Sequence, residues 1–392
     1  MNSDLTNELN PYFDNAATSW PKPERVYKAA EKHMRSMAGN PGRSGNTRTL
    51  DADRLIYQTR EAVADLFNVS NTSRIVFTLN ATDALNIALK GFLKQGDHVL
   101  YTAMEHNSVL RPLARLKADG IITATMIPCS EEGFPNLDYL GNAYQSNTRL
   151  LVVNHASNVT GTILPVEKLA ASAHKHGAAV LIDASQTAGT TPIDLANIEA
   201  DMLAFTGHKG LLGPTGTGGL YVRTGLDLKP LREGGTGSQS EKDIHPEQMP
   251  ERLEAGTLNS VGLAGLLEGI LFIQETGVDI INEREKEVYK YLRSQLQKVS
   301  GLNIYGPKDL DRTTCIISFT LDNIDCGEVG FILESEYGLL TRTGLHCAPF
   351  AHKTIGTYPQ GTVRLSPGYF TTRDDIDYLV DALNNIAELA EI

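Results

Sequence analysis

Near the middle of the chain, two apolar runs each end in a polar segment: IDASQ at residues 182–186 and TGHKG at residues 206–210. The runs themselves, AAVLI and MLAF, are short and continuously apolar, which is typical of strands buried in a parallel sheet. In α/β sheets the ligand-binding groups gather at the carboxyl ends of such strands. We therefore expect Asp183 and Lys209 to lie at the same edge of a sheet.

Asp183 and Lys209 are the pair of residues that a pyridoxal-phosphate (PLP) site requires. A lysine amine can form a Schiff base with an aldehyde cofactor, and a carboxylate facing the pyridine nitrogen keeps that nitrogen protonated, so the ring can accept electrons from a substrate carbanion. Taken singly, each residue is better explained as an ordinary exposed side chain. Gln186 and His208 stand in the same two segments, and the combination favours a cofactor site.

The composition is that of an ordinary soluble globular enzyme. The chain has 392 residues, of which 41% are hydrophobic and 21% charged, and this predicts a large buried core in two domains, or in one large domain with an appendage. The net charge of −12 argues against a general nucleic-acid or anionic-membrane surface. We expect neither partner, and a phosphate group must be bound locally.

The cysteines and the N-terminus indicate the compartment. The four cysteines are widely spaced and include no CxxC pair, so a reducing compartment is a simpler explanation than a disulfide framework. The first ten residues are polar and acidic, unlike a signal or transit peptide, and no stretch has the length and apolarity of a membrane span. We expect a cytoplasmic protein, without a metal in its site.

Short strand candidates alternate with helical segments over the first part of the chain. They lie at residues 75–79, 99–101, 121–127, 150–153, 178–182, 202–205 and 219–222. This alternation predicts an α/β fold whose mostly parallel seven-stranded sheet is covered by helices on both faces.

The pattern changes beyond residue 301. Strand candidates at residues 315–321 and 362–366, with helices between and after them, predict a smaller α+β C-terminal domain. We place the large PLP-binding domain at residues 12–260 and the small domain at residues 261–392. Residues 1–30 form a segment able to pack against the small domain.

A phosphate site is expected at one helix start. The segment NATDALN at residues 80–86 joins the strand that ends at Leu79 to a helix with apolar periodicity, and Thr82 lies where the N-cap is expected. Backbone N–H groups at a helix N-terminus, with the helix dipole and a threonine hydroxyl, bind a phosphate without many cationic side chains. Simple capping by Thr82 explains the residue equally well.

Two other strand ends carry polar groups. His106 follows the second strand candidate, where an imidazole could stack on the pyridine ring and transfer protons near neutral pH. Asn158 follows the fourth, where its amide could donate to the phenolic oxygen of the cofactor, as Gln186 also could. A partly buried packing histidine is the alternative for His106.

The C-terminal region adds a thiol and a guanidinium. Cys347 stands in a short glycine-containing loop with Arg342 and His346 close in sequence, and neighbouring positive charge favours the nucleophilic thiolate. A buried structural cysteine is the usual alternative. Arg364 interrupts a strand-like run, where a bidentate contact to a substrate carboxylate would explain it; a surface arginine on a strand is the competing explanation.

An ordered set of motifs runs through the chain. They are DNAAT (residues 14–18), NAT (80–82), EHN (105–107), SNVTG (157–161), DASQ (183–186), GHK (207–209), EAGT (254–257) and RTGLHCA (342–348). From about residue 12 to residue 385, the chain resembles the cysteine desulfurases and selenocysteine lyases of the class V aminotransferase group.

This resemblance implies a fold-type I PLP-dependent transferase that works as a homodimer. The implied cofactor contacts are Lys209 as the Schiff-base lysine, Asp183 at the pyridine nitrogen, Gln186 and Asn158 near the phenolic oxygen, His106 over the ring, Ala81 beside the cofactor, Thr82, Thr206 and His208 at the phosphate, and Thr257 across the dimer interface. The implied substrate contacts are Arg364 at the carboxylate, with Asn158, Arg342 and Ala16. Cys347 is the implied sulfur acceptor.

The resemblance also implies a reaction. The compact cysteine motif looks like the branch with a short catalytic-cysteine loop, which includes desulfurases that pass sulfur to an acceptor protein. The expected reaction converts L-cysteine to L-alanine and leaves a persulfide on Cys347. Selenocysteine lyase acting on L-selenocysteine, a related β-elimination or aminotransfer, and a PLP-binding scaffold that docks sulfur-transfer proteins are the alternatives. Leu345, where histidine is common, and PGYF at residues 367–370, in place of a Tyr-Asn ending, depart from the family pattern.

Overall fold

A computed structural model of the protein describes residues 11–36, 47–239 and 241–390. The helices in these ranges are α1 (Glu24–Ser36), α2 (Thr47–Leu66), α3 (Ala81–Phe92), α4 (Asn107–Ala118), α5 (Leu137–Ala143), α6 (Val166–Lys175), α7 (Leu195–Ile198), α8 (Ser260–Thr276), α9 (Val278–Leu296), α10 (Cys326–Tyr337), α11 (Pro349–Thr354) and α12 (Arg373–Ala390). The strands are β1 (Ile75–Thr78), β2 (Asp97–Thr102), β3 (Ile122–Ile127), β4 (Thr148–Asn154), β5 (Ala179–Asp183), β6 (Met202–Thr206), β7 (Gly218–Val222), β8 (Leu302–Tyr305), β9 (Ile317–Leu321), β10 (Arg342–Gly344) and β11 (Thr362–Leu365).

The first seven strands form one sheet in the order β1-β7-β6-β5-β4-β2-β3. The pairs from β6 to β3 are parallel, whereas β7 is antiparallel to both β6 and β1. The prediction of an α/β fold with a mostly parallel seven-stranded sheet is confirmed. Alternate residues of β5 enter different apolar cores, Val180 and Ile182 with α2, α6 and α8, and Leu181 with α3 and α4. Since successive strand residues point to opposite faces, helices cover both faces of the sheet.

The strand order brings four polar loops together. β6, β5, β4 and β2 are neighbours and run parallel, so their carboxyl ends meet at the same edge of the sheet. Asn154, the last residue of β4, lies opposite Asp183, the last residue of β5. The loops that carry His106, Asn158 and Lys209 leave from this edge, because parallel strands bring the loops that follow them to one side.

The C-terminal sheet is antiparallel, in the order β10-β11-β9-β8. Apolar side chains of α9, α10 and α12 pack against it and form a second core around Phe319 and Val363. This arrangement agrees with the predicted smaller α+β unit. The sequence did not indicate β8 and β10, because strands of four and three residues without a buried side chain are too short to give a periodic pattern.

The packing of α8 bears on the domain boundary. Leu266, Ile270 and Ile273 belong to the core of the large sheet, whereas Val288 and Leu292, later along α9, belong to the core of the C-terminal sheet. The division at residues 260 and 261 stays a prediction, and this packing favours a boundary nearer the break between α8 and α9.

The start of the described chain lies against the C-terminal sheet. Tyr12 bridges to Leu340 and Asp14 to Ser366, and Phe13 is fully buried in the C-terminal core. The first ten residues, on which the expectation about targeting depends, lie outside the described residues. In the ranges that the structure describes, no single helix has the length and apolarity to cross a membrane, and the bent pair α8–α9 meets that test by length and composition only.

Candidate active site

A cavity of about 300 Å³ lies where the four strand ends meet the C-terminal sheet. The predicted site residues that line it are Ala16, Ala81, Thr82, His106, Asn158, Asp183, Gln186, Thr206, His208, Lys209, Arg342, Cys347 and Arg364. They come from positions between 16 and 364 of the chain, so the fold assembles them from distant segments. Thr257 does not line this cavity.

Lys209 lies in the turn after β6, close to Asp183. Burial lowers the pKa of its amine to about 8, although the Asp183 charge acts in the opposite direction. A larger fraction of the amine is therefore neutral and able to react with an aldehyde. The turn requires glycine at position 207, because a Cβ atom there would lie 2.1 Å from Thr217 Oγ1.

Asp183 is held by the loop that follows β5. Its Oδ1 accepts hydrogen bonds from the backbone N–H of Ser185, at 2.9 Å, and from the Ser185 hydroxyl. Both bonds go to one oxygen, which leaves Oδ2 as the oxygen able to face a ligand N–H. Gln186, the residue after Ser185, donates from Nε2 to the carbonyl of Ala16 at 3.2 Å, and this bond ties the loop to the N-terminal segment.

His106 is the N-cap residue of α4. Its Nδ1 accepts the backbone N–H of Ser108 at 3.1 Å, so the proton of the neutral ring lies on Nε2. Burial lowers the pKa of His106 to about 4, and the ring is neutral at pH 7 in the absence of a bound anion. Ser108 Oγ lies 2.9 Å from Nδ1 and 2.7 Å from Thr82 Oγ1, which links His106 to the start of α3.

The N-cap of α3 is Asn80, and the expectation that Thr82 occupies the cap was wrong. Asn80 has extended backbone angles, and its side chain accepts the N–H of Asp83 at 3.0 Å. Ala81 and Thr82 are the first two helical residues, whose N–H groups have no acceptor within the helix. Across the cavity, Nδ1 of His208 is buried without a partner among the described residues. The arrangement suits an anion.

Arg364 is completely buried in β11. Its Nη2 forms an ion pair with Asp14 Oδ1 at 2.6 Å, and its Nη1 donates to the carbonyl of Asn158 at 3.0 Å. Nε of Arg364 is buried without a partner in the described part of the chain. Asn158 in turn donates from Nδ2 to the carbonyl of His346 at 2.7 Å.

Cys347 is the exposed member of the four cysteines. Both His346 and Cys347 have left-handed backbone angles, with φ of 47° and 59°, and this conformation is unfavourable for residues other than glycine. The backbone N–H of Asn107 donates to the Cys347 carbonyl at 2.7 Å, and Arg342 Nη2 lies 3.7 Å from the sulfur. Burial raises the pKa of the other three thiols, that of Cys129 to about 12.

Thr257 lies elsewhere in the chain. It is exposed and lines a separate cavity of about 220 Å³, together with Arg232 and Glu254. Glu254 anchors this segment, because its carboxylate forms a buried ion pair with Arg60 at 2.8 Å and accepts the N–H of Phe77 at 2.6 Å. One chain alone does not bring Thr257 to the candidate site.

Glu105 is a site residue to which the sequence gave no role. It is fully buried next to His106, and its Oε1 accepts the Thr102 hydroxyl at 2.6 Å and the backbone N–H of Asn154 at 2.9 Å. Burial raises its pKa to about 8, and the Asp183 charge acts in the same direction. The only signal in the sequence was the position of Glu105 directly before His106 at a strand end. In the described ranges, no three histidine, cysteine or acidic side chains form a group able to hold a metal.

Comparisons with known proteins agree with this geometry. The family model for aminotransferase class-V matches residues 11–379. The chain belongs to this family.

Within the family, its relatives include cysteine desulfurases. It is 35% identical over 382 residues to a probable cysteine desulfurase of Methanothermobacter thermautotrophicus, a match that covers 96% of this chain and 94% of the relative. A cysteine desulfurase of Escherichia coli is 31% identical over 401 residues and is matched over 96% of its length, with 98% of this chain covered. The apo structure of a cysteine desulfurase from Thermococcus onnurineus superimposes with a TM-score of 0.90 at 30% identity, covering 97% of this chain and 95% of that one. The resemblance to the cysteine desulfurases and the fold-type I assignment are confirmed.

Proposed function

We propose that this protein is a PLP-dependent cysteine desulfurase that converts L-cysteine to L-alanine and leaves a persulfide on Cys347. The observation that carries the proposal is that a half-buried lysine, a buried aspartate and an exposed cysteine, Lys209, Asp183 and Cys347, surround one cavity of about 300 Å³. The relatives named cysteine desulfurases support the same reaction.

The residues present fit pyridoxal phosphate. Lys209 offers an amine whose pKa is lowered to about 8 by burial, and Asp183 offers a carboxylate oxygen. The start of α3, with His208 Nδ1, which has no partner among the described residues, offers donors for a phosphate. When bound, the cofactor supplies an acceptor for the negative charge that develops at the substrate Cα. Gln186 and Asn158 are the side chains proposed to bind at its phenolic oxygen.

Arg364 is proposed to bind the substrate carboxylate. Its guanidinium is fixed by Asp14 and by the carbonyl of Asn158, so the orientation of its remaining N–H donors is also fixed. A planar fork held in this way binds a carboxylate with little loss of entropy. Asp14 has a second effect, because its negative charge competes with the substrate carboxylate and favours release of the product. Arg342, Asn158 and Ala16 line the same cavity and are proposed to complete the substrate contacts.

His106 is proposed to carry the proton. Nδ1 accepts the backbone N–H of Ser108 at 3.1 Å and lies 2.9 Å from Ser108 Oγ, so Nε2 is the nitrogen proposed to exchange a proton with the substrate. The Ser108 hydroxyl can in turn donate to Thr82 Oγ1, 2.7 Å away. The negative charge of Asp183 favours the protonated ring, which can then give a proton to the substrate.

Cys347 is proposed to take the sulfur. Its thiolate attacks the substrate sulfur, a sulfur–sulfur bond forms, and the electrons of the broken carbon–sulfur bond go to the carbon fragment, which takes up a proton and leaves as alanine. Arg342 Nη2 lies 3.7 Å from the sulfur of Cys347. An acceptor protein would then remove the persulfide sulfur.

The proposal includes a homodimer in the cytoplasm. Thr257 lies on an anchored, exposed segment outside the site of its own chain, which is the position required of a phosphate ligand that a partner subunit receives. A mixed-dimer experiment tests this, by combining subunits that carry Thr257→Ala with subunits that carry Lys209→Ala. If Thr257 serves its own chain, no mixed dimer keeps an intact site, whereas service across the interface restores one site per mixed dimer.

A substrate panel tests the reaction. Purified protein with L-cysteine should release alanine and, with a thiol reductant, sulfide in equal amounts. Cys347→Ala should bind cysteine and release little alanine, with Cys326→Ala as the control that leaves the rate unchanged. If L-selenocysteine is turned over and L-cysteine is not, the protein is a selenocysteine lyase. Pyruvate in place of alanine would indicate β-elimination. If neither substrate is turned over, the remaining alternative is a PLP-binding scaffold that docks sulfur-transfer proteins.

A further inference from the structure

A second cavity, of about 240 Å³, lies on the other side of Lys209. Ala16, Ser185, Gln186 and Lys209 line both this cavity and the candidate active site. The two cavities therefore share a wall, and the shared wall includes the loops that hold the lysine and the amide of the proposed cofactor site. The proposed desulfurase reaction assigns no role to the second cavity.

Aromatic rings form much of its lining. Tyr12 and Trp20 meet edge to face with their ring centroids 5.6 Å apart, and Tyr369 and Phe370 meet in the same way at 5.1 Å. All four side chains line the cavity. Tyr369 and Phe370 belong to the PGYF segment at residues 367–370, so this segment supplies two of the four aromatic rings that line the cavity.

Glu285 of α9 places a carboxyl group among these apolar side chains. Its side chain forms no hydrogen bond or ion pair with any residue that the structure describes; the nearby Cys315 thiol donates to its backbone carbonyl instead, at 3.3 Å. Burial alone raises the pKa of Glu285 to about 8. Keeping a carboxyl group in such surroundings without a partner opposes folding, and a ligand that pairs with it would remove this cost.

The charge of the lining indicates which ligand fits. Asp375 is a second carboxylate at the cavity, and Lys209 carries the only basic nitrogen among the described lining residues, where it is proposed to be bound to the cofactor. A cation that enters the cavity therefore meets two acidic side chains and several ring faces. A positive charge beside Glu285 favours its ionised form, and the carboxylates and the ring faces both attract the cation. Neither kind of group attracts an anion.

We propose that the second cavity is a binding site for a small organic cation, whose charge pairs with Glu285 and whose methyl or methylene groups contact Trp20, Tyr369 and Phe370. Because Gln186 and Lys209 line both cavities, a ligand in the second cavity restricts the movement of these two side chains in the candidate active site. The site is thus suited to a regulatory ligand.

Trp20 provides a direct measurement, since it is the only tryptophan of the chain and lines the cavity. The full-length protein with its cofactor is titrated with choline, whose quaternary nitrogen cannot react with an aldehyde. The matched neutral probe is 3,3-dimethylbutan-1-ol, which has the same shape without the charge. A saturable change in tryptophan fluorescence is expected with choline. The alcohol should bind at least about tenfold more weakly, because one charge-assisted contact is absent.

Two variants assign the charge. Glu285→Gln keeps the shape of the side chain and should weaken choline binding about tenfold, while Glu287→Gln, which changes an exposed glutamate on the same helix, should leave it unchanged. Calorimetric titration provides the second measurement, and thermal unfolding shows whether each variant is folded. No saturable binding of choline overturns the proposal, as does equal affinity for the alcohol or an unchanged affinity in a folded Glu285→Gln protein. None of these results depends on desulfurase activity.

Discussion

Glu105 is predicted to be a neutral carboxylic acid that holds the strand ends next to the candidate active site in position. Its Oε1 accepts two hydrogen bonds, from the Thr102 hydroxyl and from the backbone N–H of Asn154, and these tie the carboxyl ends of β2 and β4 together. Its Oε2 and the side-chain Oδ1 of Asn154 are both buried without a partner in the described ranges. A proton on the carboxyl group turns one of these two acceptors into a donor. The neutral form also adds no second negative charge beside Asp183.

The pH dependence of stability follows from the raised pKa. Burial raises the pKa of Glu105 from 4.5 to about 8. Below pH 4.5 the group is protonated in both the folded and the unfolded protein; between the two values the unfolded chain ionises first, so the folded state loses stability as the pH rises. The loss approaches about 1.4 kcal/mol per pH unit. Glu105→Gln cannot ionise, so its free energy of unfolding should rise relative to that of the wild-type protein across this window.

The size of the truncation effect follows from the hydrogen bonds. Glu105→Ala leaves the buried N–H of Asn154 without an acceptor, which costs about 1–3 kcal/mol, with a further cost from the void. In Glu105→Gln the amide oxygen can accept both bonds. At acidic pH we therefore expect Glu105→Gln to keep most of the wild-type stability and Glu105→Ala to lose it.

Urea denaturation followed by circular dichroism, at about pH 5 and about pH 8, measures both effects. Glu287→Gln is the control for loss of an exposed carboxyl group, and it should not change the pH dependence. The reasoning fails if the stability difference between Glu105→Gln and wild type is the same at both pH values. It also fails if Glu105→Gln loses as much stability at acidic pH as Glu105→Ala.

Three further predictions concern the proposed chemistry. Lys209→Ala should abolish the yellow colour of the purified protein, and borohydride reduction of the wild type followed by peptide mass spectrometry should find the cofactor on Lys209; attachment to another lysine would contradict the assignment. Arg364→Ala should raise the KM for cysteine about tenfold or more while PLP content is kept, because a charge-assisted contact to the carboxylate is lost, and an unchanged KM in folded protein would remove Arg364 from the site. Alkylation after one turnover should find the extra sulfur on Cys347, since burial raises the pKa of the other three thiols; extra sulfur on any of those would argue against Cys347 as acceptor.

The positions of the candidate site residues could be predicted from the sequence where a residue ends or closely follows a buried strand. Asp183 is the last residue of β5, and Lys209 follows β6 by three residues, so the apolar runs that identify the strands also locate these side chains. The parallel arrangement then brings the strand ends together without any further information. The same reasoning located His106 and Asn158.

Contacts between distant segments could not be predicted in this way. Asp14 and Arg364 are 350 residues apart in sequence, and nothing in their local patterns pairs them. The prediction of the N-cap of α3 was wrong for a local reason. Asn80 and Thr82 are both good cap residues, and the backbone angles that select Asn80 cannot be read from the sequence. The protonation of Glu105 depends on complete burial, which is a property of the assembled sheet.

The loop of Cys347 bears on how sulfur would leave the protein. His346 and Cys347 both have left-handed backbone angles, which cost about 1–3 kcal/mol each and persist only where the surroundings hold them. Here Asn158 Nδ2 donates to the His346 carbonyl and the backbone N–H of Asn107 donates to the Cys347 carbonyl. Asn158 lies in the loop after β4 and Asn107 is the first residue of α4, both at the edge of the sheet where the proposed cofactor residues lie. The thiol is therefore exposed but fixed in position beside His106. Outward movement of the loop would break both hydrogen bonds, so we expect the proposed acceptor protein to bring its own sulfur-accepting group to Cys347.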